Sequence, residues 1–400
     1  MIRWKRQFHS LLLVQLLVGI AHGMYIPLLA GQLATFKLTS DELIRWTGIA
    51  FSGNFLAMML VMPFLGKLGD RIGMKPIMIW SGIGMTVVTA IMGWTEQPQA
   101  LATLRVLQGC FTGILPFTMM LIVTGAPKDR VGASVGILQM TSEAGSVLGP
   151  LIGSAVILLI KPELSFPIMS AFILAGAIVV MLRVQEPEHK PQSAERTNLL
   201  QDLANIWRNK PFPNILISAF CINFCLVGTS PMLVYYIEKS SDTWWPAGIS
   251  AGFALAVTSV AVILFSPLLG RVADRIGPLP LLKAACLFAI VLSIFQAVTT
   301  SYTIIIVCRF LMGICTAAMM PNIQIQIRNY LTLGMESRTF AITNAWSFLG
   351  CLAGPAAAGI IVAAFGIESW FLTIALVFLI SCWQAFRIGA LSLKLKTVLQ

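Results

Sequence analysis

Gly66-Lys67-Leu68-Gly69-Asp70-Arg71-Ile72-Gly73 recurs in the same chain as Gly270-Arg271-Val272-Ala273-Asp274-Arg275-Ile276-Gly277, 204 residues later. Arg105-Val106-Leu107-Gln108-Gly109 returns at the same offset of 204 as Arg309-Phe310-Leu311-Met312-Gly313. Gly145, Gly149 and Pro150 return as Gly350, Gly354 and Pro355, offset by 205. Three landmarks in one order at one spacing describe a duplicated unit of about 200 residues.

The composition says what surrounds that unit. Of 400 residues, 57% are hydrophobic and 11% charged, against roughly 25% charged in soluble domains. Apolar stretches of about 20 residues, each able to cross a hydrocarbon core of about 30 Å, recur along the chain. Twelve are expected, near 9–31, 47–66, 76–94, 99–124, 131–160, 164–183, 213–237, 246–269, 279–299, 302–326, 338–364 and 369–389. The first, preceded by Arg3, Lys5 and Arg6, is longer than a signal-peptide core and reads as a retained helix. The expected fold is an all-α integral membrane protein, two pseudo-symmetric six-helix bundles at 1–184 and 213–400 joined by a linker at 185–212. Membrane transporters are commonly duplicated in this way.

The net charge of +11 is explained by topology. With a cytoplasmic N-terminus, the even-numbered connections and both termini hold 21 of the 27 Lys and Arg; the external loops hold four, Lys37, Arg45, Lys161 and Lys239. This is the positive-inside pattern, with both ends cytoplasmic and no nucleic-acid partner implied. All eight cysteines fall inside expected spans with no CxxC pair, so neither a disulfide framework nor a metal site is expected. In the linker, Leu199, Leu200, Leu203, Ile206 and Trp207 recur at helical spacing. The segment reads either as an amphipathic helix on the inner membrane surface or as a plain tether. No GxxxxGK[ST], HExxH or GxSxG signature is present, so neither ATP coupling, an enzyme nor a cofactor is expected.

The glycines of 66–73 permit a sharp reversal between the second and third spans, and Asp70 and Arg71 can pair with charges or helix ends. This segment resembles the signature of the major facilitator superfamily, Gly-x-Leu-x-Asp-Arg-x-Gly-Arg-Lys. The resemblance implies a twelve-helix rocking transporter and a cytoplasmic latch at Gly66, Gly69, Asp70, Arg71, Gly73 and Lys75, repeated at Asp274 and Arg275. Met74 stands where the family usually has a basic residue. Gly145, Gly149 and Gly153 repeat every four residues of the fifth span, letting a neighbouring backbone approach, and Pro150 removes a helix hydrogen bond and bends it. The run resembles the antiporter signature of the superfamily, Gly-x-x-x-Gly-Pro-x-x-Gly-Gly, with Ser154 in place of its final glycine.

Arg105 lies about seven residues into the fourth span, where an Arg costs about 2.5 to 3.5 kcal/mol at the helix centre. It must face a cavity or a partner, and Gln108 shares its stripe. It resembles the family's Arg motif linked to proton coupling; tying helices through carbonyls is the other reading, favoured for Arg309. Glu143 is the only acidic residue deep within an expected span, and needs a partner, water or a proton there. On an ideal helix Gly136, Gln139 and Ser146 share its stripe while Gly145 and Gly149 point away. In the second half Asn344 and Trp346 bring no charge to the corresponding region. His22, with Tyr25 one turn on, is about mid-membrane, and Asn54, Asn223 and Trp346 are further cavity candidates.

The resemblance extends over essentially the whole chain, and its branch is similar to twelve-helix drug/proton antiporters. It implies a monomeric, proton-coupled exporter of small amphipathic compounds in the cytoplasmic membrane, with protons handled by Glu143, Arg105 and His22. A dedicated exporter of a metabolite such as a siderophore or a sugar, or a proton symporter for uptake, are the alternatives.

Overall fold

A chain in hydrocarbon must satisfy every backbone N–H and C=O within itself, so long apolar segments become helices. The computed structural model describes residues 2–36, 38–159, 162–186, 199–208, 211–238, 240, 242–331 and 335–399. Among them the chain is helical, with one 3-10 turn and no strand. The helices are α1 (Ile2–Thr35), α2 (Ser40–Ile72), α3 (Met74–Met92), α4 (Pro98–Cys110), α5 (Ile114–Gly125), α6 (Val131–Leu159) and α7 (Pro162–Arg183). After α8 (Leu199–Arg208) follow α9 (Pro211–Glu238), α10 (Ala247–Ile276), α11 (Pro278–Val298), α12 (Tyr302–Asn329), α13 (Glu336–Phe365) and α14 (Ile367–Leu399). Twelve segments are long and apolar enough to cross a membrane, with α4 and α5 together making one.

The expected fourth span is thus broken at residues 111–113, whereas its second-half counterpart, α12, runs unbroken. Gly113 sits at the break and Ala317 at the corresponding position of α12; Gly disfavours a helix by about 1 kcal/mol relative to Ala. Pro116 also leaves the Thr112 carbonyl without its helical donor, but α12 stays helical through the matching Pro321, so the glycine makes the difference. Half of the 185–212 linker lies outside the described residues, as do the side chains of Leu199 and Leu200; α8 buries Ile206, exposes Leu203 and Trp207, and packs on α9.

Two compact units form. One gathers described residues of 1–126, 141–197 and 332–345; the other gathers those of 127–140, 198–331 and 346–400. The first turns of α13 therefore pack with the first unit, and the first turns of α6 with the second. In the first unit α7 runs along α1 and α3, and α2 along α4. In the second, α10 runs along α12, and α14 along α9 and α11.

The duplication reappears as duplicated contacts. A Cβ on Gly109 would lie 2.6 Å from the Asn54 carbonyl oxygen and 2.8 Å from Ala57 Cβ. The same atom on Gly313 would meet the Thr258 carbonyl and lie 2.7 Å from Ala261 Cβ, each residue 204 positions on. Gly149 meets Gly23 of α1, where a Cβ would lie 2.5 Å from Cα, and Gly354 meets Gly228 of α9, at 3.2 Å, both 205 positions on. Helix backbones touch here with no room for a methyl group, the small-residue packing on which helices in lipid depend.

Replacing Gly149 by Leu is expected to cost about 1 to 3 kcal/mol through overpacking. Gly359→Leu, where nothing lies within 4 Å, should leave the thermal midpoint in detergent unchanged or raised. Equal losses at the two positions would count against the close helix contact.

Candidate functional site

The reversals at 66–73 and 277 turn on one glycine each. Gly73 has φ 93° and ψ 165°, and Gly277 has φ 89° and ψ 155°. That region is open essentially only to glycine. Immediately before it stands the aspartate of each repeat, and both aspartates do the same thing. Asp70 Oδ1 accepts from the Ser337 amide at 2.8 Å and Oδ2 from the Arg338 amide at 3.3 Å, at the start of α13. Asp274 Oδ1 accepts from the Gly132 amide at 2.6 Å and Oδ2 from the Ala133 amide at 2.9 Å, at the start of α6. Residues 337 and 338 are 132 and 133 displaced by 205, so the cap itself is duplicated.

The first amides of a helix have no intrahelical acceptor and carry the positive end of its dipole, so a carboxylate placed there satisfies both. Gly66 makes the approach possible: its Cα packs against Ala341 and lies where a Cβ would be 2.8 Å from the Ser337 carbonyl oxygen. Gly69 likewise faces Ser337. The two caps are unequal in charge. Arg338 Nε lies 3.1 Å from Asp70 Oδ2, with 3% and 4% of the two side chains exposed; it acts as a charge contact without an aligned N–H···O bond. Asp274 is half-buried, with Arg328 within electrostatic reach. Arg71 and Arg275 are exposed and Lys75 half-buried, and none of the three has a side-chain bond among the described residues. In this structure, then, the aspartates and glycines make contacts at these loops, and Arg71, Lys75 and Arg275 stay outside them.

A polar chain threads the first unit. The Arg105 guanidinium stacks 3.4 Å from the centre of the Tyr25 ring, and its Nη1 donates to Gln108 Oε1. Gln108 Nε2 donates to Thr89 Oγ1 at 2.6 Å. Asn54 Nδ2 donates to the Arg105 carbonyl at 2.9 Å, tying α2 to α4. Arg105, Gln108, Asn54 and Tyr25 are all buried, and among the described residues Arg105 Nε and the Tyr25 hydroxyl have no hydrogen-bond partner. His22 is half-buried, its Nδ1 3.1 Å from the Val18 carbonyl and within electrostatic reach of Arg105. Charged and polar groups this deep among membrane-spanning helices are costly, and mark function more often than packing.

The second unit repeats the arginine without its chain. Gln108 becomes Met312 and Tyr25 becomes Ser230. Arg309 faces Phe371, 5.9 Å away, and its Nε and Nη2 have no hydrogen-bond partner among the described residues. Glu143 and Gln139 are half-buried on α6. Ser142, beside Glu143, accepts from Gln15 Nε2 at 3.1 Å. Gly136, expected on the stripe of Glu143, packs in the second unit against the Ser266 carbonyl, while Gly145 packs against Gly19 of α1 and Gly153 against Pro27. Asn223 bonds the Ala219 carbonyl at 2.9 Å and accepts from Cys351 Sγ at 3.7 Å. Trp346 stacks with Trp207 of α8, ring centres 5.9 Å apart.

A family model of the Major Facilitator Superfamily matches residues 11–295 and again 246–395. The chain belongs to this superfamily. Among curated relatives, this superfamily chain is 29% identical over 393 residues to the multidrug resistance protein MdtG of Proteus mirabilis, covering 96% of each chain. It is 26% identical over 386 residues to the MdtG of a Rahnella species, covering 96% of this chain and 94% of that one. Among solved structures it resembles the human organic anion transporter MFSD10, with TM-score 0.82, 16% identity and coverage of 96% and 99%. The Escherichia coli fucose:proton symporter FucP matches with TM-score 0.78, 16% identity and coverage of 95% and 98%.

Three partners in this superfamily chain were not read from its sequence. Arg338 is one, and its signal was a cation in the first turn of a helix, where the dipole disfavours it. Thr89, which ends the polar chain, is one hydroxyl among many in apolar spans. Glu186 accepts from the Met74 amide beside Gly73, capping α3 from the end of the first six spans.

Asp70→Asn leaves Arg338 buried without an anion and is expected to cost about 3 to 5 kcal/mol. Asp274→Asn, which weakens a cap and the more distant attraction to half-buried Arg328, should cost less, about 1 kcal/mol. Thermal unfolding in detergent measures both, and Asp70→Asn with Arg338→Met should recover part of the first loss. Equal losses for the two asparagine variants would show that the ion pair contributes nothing.

Proposed function

We propose that this superfamily transporter is a proton-coupled exporter of small amphipathic compounds across a bacterial-type cytoplasmic membrane, working as a monomer with both termini in the cytoplasm. The observation that carries the reading is the buried chain Tyr25–Arg105–Gln108–Thr89, present in the first unit and absent from the second. The arginine is duplicated but its polar partners are not, which is hard to explain as helix glue, because the second unit holds together without them. The relatives named multidrug resistance proteins, similar along nearly their whole length, support drug-like cargo, and the distribution of Lys and Arg supports the orientation.

In the proposed cycle a proton entering from outside neutralises Glu143 and lowers the affinity for cargo, and its release inward resets the site. Arg105, held by Tyr25 and Gln108, supplies the positive field that makes the protonation of Glu143 respond to occupancy. His22, Tyr25, Asn54 and Gln108 are the proposed cargo-contacting residues of the first unit, and Gln139, Asn223 and Trp346 those of the second. The caps on α13 and α6 release and re-form as the transporter alternates, since each is an exchange of a few hydrogen bonds at a helix end. A cargo bearing negative charge is the second reading, favoured by the unpartnered Nε of Arg105.

In proteoliposomes with an imposed pH gradient, Glu143→Gln is expected to abolish gradient-driven accumulation while retaining equilibrium binding of cargo. Full proton-driven transport by that variant would remove Glu143 from the mechanism. Accumulation in the opposite direction would make the protein an uptake symporter. Preference for an anionic over a cationic test compound would favour the second reading of the cargo.

A further inference from the structure

The cycle above makes no use of a basic cleft at one end of the first unit, between the start of α1 and the end of α7. It has a volume of about 480 Å³ and is lined by Arg6, His9, Ser10, Leu13 and Arg183, within the size range of small-ligand sites. A second lobe adds Gln7, Leu182 and Gln185. The cleft is built, not left over: Gln7 Nε2 donates to the Gln185 carbonyl at 2.7 Å and bridges the two helices. Ser10 Oγ donates to the Arg6 carbonyl at 3.0 Å. His9 Nδ1 lies 2.6 Å from the Lys5 carbonyl, so that nitrogen is the donor and Nε2 is the one left to meet a ligand.

Two guanidinium groups, from different helices, line both lobes of this cleft. Among the described residues neither has an ion-pair partner. Glu186, three residues past Arg183 at the end of α7, turns to the Met74 amide instead. Two guanidinium groups lining one space suit a tetrahedral oxyanion, because each can give two parallel N–H bonds to phosphate oxygens. The position decides what carries the phosphate. The first membrane-spanning segment begins at Trp4 and the sixth ends at Arg183, so the charges stand at headgroup level. Leu13, 37% exposed, lies deeper along α1, and Leu182, 71% exposed, stands beside Arg183. An inorganic phosphate has no use for these apolar walls, whereas an acyl chain descends along them.

We propose that the Arg6–Arg183 cleft is a specific site for the phosphate headgroup of an anionic phospholipid, with one acyl chain lying along Leu13. The positive charge at this end of the chain then serves recognition as well as topology. The site is independent of the cargo and of the direction of transport.

The test is native mass spectrometry of the full-length, delipidated protein titrated with phosphatidylglycerol, with phosphatidylcholine of the same chains, and with inorganic phosphate. The first phosphatidylglycerol should bind the wild type about thirtyfold more tightly than the Arg6→Gln/Arg183→Gln variant, at roughly the contribution of one basic residue each. Phosphatidylcholine, whose choline cancels the charge of the same phosphate, should distinguish the two proteins far less, and excess inorganic phosphate should not displace the lipid. The Arg6→Lys/Arg183→Lys variant should fall between, keeping the charge and losing the forks. Equal retention of phosphatidylglycerol by the folded double variant overturns the proposal, as does displacement by free phosphate, which would make the site one for a soluble anion. Should the double variant fail to fold, photo-crosslinkable phosphatidylglycerol on the wild type decides: label on residues 6–13 or 182–185 is expected, and label only elsewhere overturns the site.

Discussion

A helix that starts at a membrane surface presents amides with no acceptor, and this chain answers the problem twice with the same device. Asp70 receives the first amides of α13 and Asp274 those of α6. Each aspartate sits one turn before a glycine whose backbone only glycine adopts, so the loop that reverses the chain also aims the carboxylate. The rest follows from this. Because Asp70 holds α13, the first turns of a second-half helix pack with the first unit; because Asp274 holds α6, the converse is true of the second. Hydrogen bonds to a charged acceptor are stronger than neutral ones, so two amides suffice to fix each helix start.

The helices themselves are held by the absence of side chains. Gly109 on Asn54, Gly313 on Thr258, Gly149 on Gly23 and Gly354 on Gly228 bring backbones into contact. In lipid no hydrophobic force drives helices together, so van der Waals contact at small residues takes its place. That these contacts recur at offsets of 204 and 205 shows two units built on one packing scheme. Between Gly109 and Gly132 the offset grows by one residue, in the stretch where α4 and α5 part and α12 does not.

On that shared scaffold the chemistry is one-sided. Arg105 is stacked on Tyr25 and chained through Gln108 to Thr89; Arg309 has Phe371 at a distance and Met312 where the glutamine would be. The buried ion pair is one-sided as well, since Arg338 corresponds to Ala133. A duplicated fold can spare one copy of a costly buried polar cluster, because packing alone keeps the other together. The differences between the halves are therefore more informative about function than the similarities.

Residue order alone determined the number of spans, the duplication, the reversal loops and the close-packing face of α6, because each rests on local rules: hydropathy over a membrane thickness, glycine at a turn, small residues every four positions. It also singled out Arg105 and Gln108 as one stripe, since they share a helix. Only the tertiary structure decided what met that stripe. Tyr25, Thr89 and Asn54 reach Arg105 or its network from α1, α3 and α2, and Arg338 reaches Asp70 from a helix more than 260 residues away in sequence. It also split the fourth span at Gly113, and set Trp346 against Trp207. Local periodicity states which face of a helix is polar; the partner for that face is chosen by packing among helices distant in sequence, and no spacing along the chain encodes it.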